Sequence, residues 1–324
     1  MDNRIIADLK ESYGIVFHQM TPVKGGLLNR KWKVSTENGE FLVKQYSARR
    51  FCREQIERIE SALRRQIILE KRGVPCPLLR RCGSRVIRRL DDETAYMVMD
   101  FCAGKTENAD TITPAQMRSL GSACAVMHRA FSRLPEPLVK ALPACGGYTT
   151  ELLRENFRSG IANCPPDAPA EYRKALLALE PILNQIGAGF FDRFPQGFAH
   201  EDFHAGNILF APDRVSAVVD FDRNCYSYPW HDIGRAILSF ALEGNRLNTE
   251  KVSALLEGYS RHLALTLPDI ADALRLSWCI ETPWWIQPEF FGECDETPGR
   301  FKNEMLWLTE HWFELESLCS SERI

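Results

Sequence analysis

The pair Asn38-Gly39 stands inside the run RKWKVSTENGEFLVKQY, residues 30–46, where polar and apolar residues alternate on both sides of it. Period-two alternation puts every second side chain on one face of a strand, and Asn-Gly between two such runs is the strongest short signal for a hairpin. This part of the chain is therefore antiparallel sheet. Residues 53–72 change period: Ile56, Ile59, Leu63, Ile67 and Ile68 fall at helical spacing. Gly73 stops that helix, and Pro75 and Pro77 prevent its continuation. Two further strands are expected, around 85–89 and 95–101, joined by the acidic turn Asp91-Asp92-Glu93. With a short helix over 3–13, the first hundred or so residues make a small α+β unit.

After Gly104 the texture becomes helical. Residues 114–131 read as a helix capped by Thr113, with Pro114 at its first position. A second helix is expected over 168–189, and helices from Asp232 to the end, broken near Pro283, Pro288 and Pro298. Residues 198–222 interrupt the helices with short β-like runs and loops rich in Asp, His, Gly and Asn. Cys145-Gly146-Gly147 and Asn163–Pro169 are loop candidates.

At 324 residues, 45% hydrophobic and 26% charged, the composition is that of a globular protein large enough to need no staple. No apolar run reaches the ~18–20 residues of a membrane span, so no membrane partner is expected. The N-terminus mixes acids and bases with no apolar segment typical of a signal peptide, and the 11 cysteines contain no C-x-x-C. A reducing, cytoplasmic setting is the expectation. A net charge of −3 does not point to a nucleic-acid partner. The charge is uneven, however: residues 1–103 carry 20 basic and 13 acidic side chains, the remainder 20 and 30, giving +7 and −10.

The chemistry concentrates in His200-Glu201-Asp202-Phe203-His204-Ala205-Gly206-Asn207, followed 13 residues after Asn207 by Asp220 in Val218-Val219-Asp220-Phe221-Asp222. Phosphoryl transfer from ATP needs a carboxylate to orient the attacking hydroxyl, oxygen ligands for Mg²⁺, and a lysine on the phosphates. Asp202, Asn207 and Asp220 supply the first two. Five residues from Asp to Asn let a tight loop turn both side chains into one cleft, and sparse oxygen ligation suits Mg²⁺. There is no G-x-S-x-G elbow, no G-x-x-x-x-G-K-[ST] loop and no zinc spacing around His204 and His231.

This pattern resembles the aminoglycoside phosphotransferase and choline kinase branch of the protein-kinase-like superfamily, which spells it H-G-D-x-H-x-x-N and then an apolar strand ending in Asp. Glu201 stands where that branch often has Gly. Gly73-Val74-Pro75-Cys76-Pro77, Val126-Met127-His128-Arg129 and Trp230-His231-Asp232-Ile233-Gly234 resemble three further motifs, and the likeness spans about residues 15–240. It implies a two-lobed α+β kinase-like fold: a small β-rich lobe over 1–99, a hinge at 100–103 and a larger, mainly helical lobe over 104–324. It also implies a base at Asp202, Mg²⁺ ligands at Asn207 and Asp220, and a bracing role for Asp232. Lys44 falls where the family keeps its ATP-phosphate lysine, and Gly25, Gly26 and Asn29 fall in the phosphate-covering loop. The family's lysine pairs with a glutamate on the next helix. Glu57, Glu60 and Glu70 all qualify, with Glu60 preferred. Met99, Asp100 and Cys102 fall on the adenine-binding hinge strand.

The acceptor, by the same resemblance, sits on the larger lobe. That lobe is acidic, and Trp278, Glu281, Trp284, Trp285, Glu289 and Phe290 cluster late in it, a combination suited to an ammonium group. The expected activity is transfer of the γ-phosphate of ATP to a small-molecule hydroxyl, on an amino-alcohol or aminated sugar. Homoserine, thiamine, methylthioribose and aminoglycosides all remain open. The rival reading is a structural protein of the bacterial spore coat that keeps the kinase-like fold.

Overall fold

The structure is a computed structural model that describes residues 1–23, 29–47, 50–91, 93–135, 147–292 and 295–320. Helix α1 (Asn3–Tyr13) precedes three antiparallel strands, β1 (Gln19–Pro22), β2 (Arg30–Thr36) and β3 (Gly39–Ser47). The expected hairpin forms, but register pairs Thr36 with Gly39, so the turn residues are Glu37 and Asn38. The Thr36 hydroxyl fixes this choice: it accepts from the Asn38 amide (3.1 Å) and donates to the Gly39 carbonyl (2.9 Å). Helix α2 (Arg53–Lys71) follows, then β4 (Leu79–Arg80), β5 (Ile87–Arg89) and β6 (Thr94–Asp100). The sheet order is β1-β2-β3-β6-β4, with β5 also on β6.

Alternation sorts the two faces of this sheet. Val34, Val43, Tyr96 and Val98 pack with Ile5 and Leu9 of α1 on one side. Tyr46, Met97 and Met99 pack with Ile56, Ile59 and Leu63 of α2 on the other. Lys44 lies two residues from Tyr46 on β3, which sends it toward the α2 side. A second tie fixes α1: the Tyr96 hydroxyl donates to Asp8 at 2.6 Å.

The rest is helical around one large apolar core. Its elements in order are α3 (Pro114–Phe131), α4 (Thr150–Ala162), α5 (Ala170–Ala178), α6 (Glu180–Gln185), β7 (Gly197–Ala199), β8 (Ile208–Phe210), β9 (Val215–Val218), β10 (Cys225–Ser227) and α7 (Pro229–Ala241). Then come β11 (Leu242–Glu243), β12 (Arg246–Leu247), α8 (Thr249–Ser260), α9 (Leu267–Trp285), α10 (Glu296–His311) and α11 (Leu315–Ser320). Thr113 caps α3 in a reciprocal capping box with Gln116.

Three expectations need adjusting. The helix expected over 168–189 is two short ones, because Pro181 opens α6 and supplies no N–H to continue α5. The break expected near Pro283 comes two residues beyond it: Pro283 lies in the last turn of α9, which ends at Trp285. A small hairpin, β11–β12, interrupts the late helices, with Gly244 at φ +57° in its turn. The loop over Asn163–Pro169 connects α4 to α5 as expected. Cys145 and Gly146 lie outside the described residues.

Candidate active site

The loop between β7 and β8 carries His200 to Asn207, and its shape is set from behind by Asp232 at the start of α7. Asp232 is fully buried and accepts three hydrogen bonds: from the His200 amide (2.7 Å), the Glu201 amide (3.0 Å) and His128 Nε2 on α3 (3.0 Å). His128 is held in turn by the Tyr259 hydroxyl at 3.0 Å. The His200 ring reaches the Val219 carbonyl (3.1 Å), which ties the loop to the residue before Asp220. The Pro75 carbonyl accepts from the Val218 amide (2.7 Å), so the Gly73–Pro77 turn braces the same strand.

Asp202 and Asn207 meet within this loop. Asn207 Nδ2 donates to the Asp202 carbonyl (2.9 Å) and to its Oδ2 (2.8 Å). The other oxygen, Oδ1, faces Arg223 Nη1 at 3.4 Å and His204 Nε2 at 3.7 Å. Burial pushes the Asp202 carboxyl up, but the close approach of His204 and the charge of Arg223 outweigh it and hold the group below the usual carboxylate range. It is thus an anion at neutral pH, with 27% of its side chain still open to solvent.

Asp220 sits at φ +65°, ψ +53°, a left-handed conformation for a residue with a Cβ. That turn aims its carboxylate back at the sheet, where Lys44 Nζ lies 2.6 Å from Asp220 Oδ1 and 2.6 Å from Asp222 Oδ2. Lys31, directly opposite Lys44 in the β2–β3 register, approaches Asp220 Oδ2 at 3.4 Å. Burial opposes the charge on Lys44, yet the two carboxylates hold it well above the usual lysine range. Burial also works against Asp220, and Lys44 and Lys31 outweigh it, holding Asp220 far below the usual range. Asp222 goes the other way, pushed up by burial and by Asp220 beside it.

Glu60, expected opposite Lys44, is not its partner. Its carboxylate accepts the amides of Val86 (3.0 and 3.1 Å) and Ile87 (2.7 Å) and pairs with Arg64 at 3.1 Å. Those buried amides at the start of β5 need an acceptor, and Glu60 is the group on α2 that reaches them. Glu57 pairs with Arg85 at 2.7 Å. Helix α2 reaches the site through Arg65 instead, which donates to the side chain and carbonyl of Asn224 (2.7 and 2.8 Å), just past Asp222. Asp222, Lys31 and Arg65 were not assigned from sequence. The first had a signal in the D-x-D spacing around Phe221; the other two had none.

At the sheet's end, Met99 faces Leu42 and Leu79 in register. The Asp100 carboxylate is engaged by Arg80 at 2.6 Å. Ladder bonding stops at Phe101, whose amide donates to the Glu40 carbonyl (2.9 Å), and chain contact resumes where Lys105 and Phe210 exchange backbone bonds (2.8 and 3.1 Å). Cys102, half-buried, lies between these points. Gly104 closes the crossing at φ +141°, and a Cβ there would stand 2.4 Å from Ser216 Oγ, so only glycine fits. Asn29 is half-buried just before β2; Gly25 and Gly26 lie outside the described residues.

On the far side of Asp202 the late aromatic residues divide. Trp278 is core, bonded to Thr309 (2.7 Å), and Trp284 is exposed. Trp285 packs on Phe301 (4.7 Å between ring centres), which meets the His204 ring at 5.2 Å, so these three form a wall beside the loop. Glu281 is not available to a ligand's ammonium: Arg235 (3.6 Å), His231 (3.4 Å) and Trp285 Nε1 already hold its carboxylate. A separate cavity of about 370 Å³ opens among α4, α5, α6 and the end of α9, lined by Asn156, Tyr172, Trp278 and Thr282 among others, away from Asp202 and Lys44.

A mixed sheet-and-helix fold in which a strand lysine pairs with two aspartates of the helical part is of the kinase-like kind. The chain belongs to the phosphotransferase enzyme family, whose model matches residues 19–275, and it is an enzyme that transfers phosphate to a small-molecule hydroxyl. It is similar to homoserine kinase of Rhodopseudomonas palustris (strain BisA53), 25% identical over 252 residues that cover 78% of this chain and 72% of that one. Among solved structures, a spectinomycin phosphotransferase in complex with ADP and spectinomycin superimposes with a TM-score of 0.68 at 15% identity, covering 98% and 99% of the two chains. A microcompartment-associated aminopropanol kinase gives 0.65 at 17% identity, with the same coverage. At these identities the structural likeness shows the fold.

Proposed function

We propose that the chain transfers the γ-phosphate of ATP to the hydroxyl of a small amine-bearing acceptor, with Mg²⁺ as the metal. The observation that carries the proposal is that the Asp202–Asn207 pair and the Asp220–Lys44 pair are tied together through the backbone, the Val219 amide donating to the Asn207 carbonyl at 2.9 Å. Lys44 and Lys31 project from adjacent strands and would turn from Asp220 to the phosphates. Two lysines directly opposite in register repel unless an anion lies between them; Asp220 fills that place here, and the phosphates would take it over when ATP binds. Met99, with the main chain at Asp100 and Cys102, borders the adenine.

The metal fits these residues. Asn207 gives its Nδ2 to Asp202, which leaves its Oδ1 as an acceptor, and Asp220 and Asp222 bring two carboxylates together beside Lys44, with Lys31 at the edge of the pair. Hard oxygen donors in small number, completed by phosphate and water, suit Mg²⁺. When bound, the ion neutralises charge on the phosphates. Asp202 orients the acceptor hydroxyl and takes its proton, while Asn207 and Arg223 hold the carboxylate in place. Rate acceleration comes from positioning and charge neutralisation, with no covalent intermediate on the protein.

Proposed acceptors follow the named relatives: a hydroxylated amino acid such as homoserine, or an amino-alcohol. Mg²⁺-ATP should raise the melting temperature, by ~2.7 kcal/mol of stabilisation at 100 times the dissociation constant, and Asp220→Ala should remove the Mg²⁺-dependent part. Absence of any shift at millimolar Mg²⁺-ATP would refute the proposal and favour the spore-coat scaffold.

A further inference from the structure

Asp220 is one of two non-glycine residues with positive φ among those described. A left-handed residue with a Cβ is strained, and such strain persists only where the surrounding structure over-determines it. Before Asp220 the chain is held by the Val218 amide on the Pro75 carbonyl (2.7 Å) and the Val219 amide on the Asn207 carbonyl (2.9 Å). After it, the ties come from Asn224 and converge on α2.

Asn224 ends the single helical turn Phe221–Arg223 and is buried. Its Nδ2 donates back to the Phe221 carbonyl (2.6 Å), closing the turn from inside, and across to the Ala62 carbonyl of α2 (3.0 Å). Its Oδ1 and its main-chain carbonyl accept from Arg65 Nε (2.7 Å) and Nη2 (2.8 Å). A primary amide has two N–H donors and one oxygen, so all of them are engaged between the turn and α2.

Arg65 is fully buried, and its guanidinium stands 5.0 Å from the centre of the Phe198 ring, two residues before His200. An arginine in a dry interior is costly, and a well-packed apolar side chain of similar volume fills such a place at no loss of stability. What an apolar side chain cannot do is grip two oxygens of one residue with a planar fork. The next residue of α2 reaches the other flank: Gln66 Nε2 donates to the Pro77 carbonyl (2.9 Å), in the turn whose Pro75 holds Val218. Helix α2 therefore grips the Asp220 segment from both sides. Its Glu60 is engaged by Val86 and Ile87, and the carboxylates on Lys44 come from the gripped turn itself.

We propose that Asn224 and Arg65 are positioning residues for phosphoryl transfer: clamped on α2, the turn holds Asp220 in its left-handed conformation, with its carboxylate set for Mg²⁺. This rests on the phosphotransferase reading and ties α2 to the nucleotide site through the metal turn, in place of a lysine–glutamate pair. With the clamp loosened, Asp220 relaxes toward an ordinary φ and its carboxylate swings off the metal position. The hinge strand that borders the adenine is untouched. Metal affinity should fall while nucleotide affinity without metal holds.

The test titrates Mg²⁺ at fixed ATP and reads the thermal shift of the whole chain, beside ATP affinity in EDTA by calorimetry. Arg65→Met keeps the bulk and removes the donors; Asn224→Ala removes the amide and leaves Arg65 the main-chain carbonyl. Each should raise the Mg²⁺ half-point by ~10–100-fold, the range for losing a residue that orients a metal ligand, with ATP affinity in EDTA close to the parent's. Arg65→Lys, which can reach one of the two oxygens, should fall between parent and Arg65→Met. Residues that only support the fold would lower the melting temperature and leave the half-point in place. That result, an equal loss of affinity in EDTA, or a failure of both variants to fold overturns the inference and leaves the phosphotransferase reading standing. No Mg²⁺-dependent shift in the parent removes both.

Discussion

Asp232→Ala removes the acceptor for three buried donors at once: the amides of His200 and Glu201 and the ring of His128. Each buried donor left unmade costs ~1–3 kcal/mol, and breaking a buried charged contact costs ~3–5 kcal/mol. The loop can relax toward the cleft and recover water for one amide, so we take the lower bracket, about 3–5 kcal/mol in total. Unfolding entropy of roughly 2.1 cal/mol/K per residue gives ~0.7 kcal/mol/K for a chain of 324 residues, so the melting temperature should fall by about 4–7 °C. Asp232→Asn is a finer perturbation. It keeps one oxygen and offers an NH₂ to His128, which can accept it as the tautomer protonated on Nδ1. One amide is then lost, about 1–3 kcal/mol. Differential scanning fluorimetry with steady-state kinetics should therefore rank parent, Asn and Ala in that order for both melting temperature and kcat, since the same contacts shape the loop that holds Asp202. An alanine variant that melts within a degree of the parent and turns over at the same rate would refute the bracing argument.

Lys44→Ala should raise KM for ATP by 10-fold or more, and Lys31→Ala by less, because Lys31 is more exposed and stands 3.4 Å rather than 2.6 Å from Asp220; equal effects in the kinetics would count against the assignment of Lys44. Glu281→Gln should destabilise most between about pH 4.5 and 6.5. Burial opposes both charges of the His231–Glu281 pair, but Arg235 and His231 hold Glu281 below its ordinary 4.5, and the Glu281 hydrogen bond holds His231 above its ordinary 6.5. The acid's contribution is present above 4.5 and lost as pH falls through its depressed value; the histidine's is full below 6.5 and lost as pH rises through its raised value. A parent-minus-variant melting difference that is flat from pH 4 to 9 would contradict this.

The sequence was most readable where backbone and side-chain rules are local. Alternation around Asn38, the capping residue Thr113 and the stop at Gly73 all depend on neighbours within a few positions. The loop residues Asp202 and Asn207 were readable for the same reason, since five residues of tight loop leave few ways to arrange them. What was missed is long-range. Nothing near Glu60 in sequence says that the amides of Val86 and Ile87 will lie within its reach, so the lysine's partner was sought on α2 and found at Asp222 instead. Glu281 looked like an open carboxylate until Arg235 and His231, from α7, were seen around it. Pro283 marked a helix end to within two residues, but only the packing of α9 decides that the helix continues through it.

Turnover by Asp202→Asn, measured beside its affinity for Mg²⁺-ATP, tests the central claim most directly. The substitution keeps size and most hydrogen bonding and removes the base. The account predicts a fall in kcat of ~10²–10⁴, the range of a positioned general base, with nucleotide affinity close to the parent's. Turnover equal to the parent's, on any acceptor the parent phosphorylates, would contradict it.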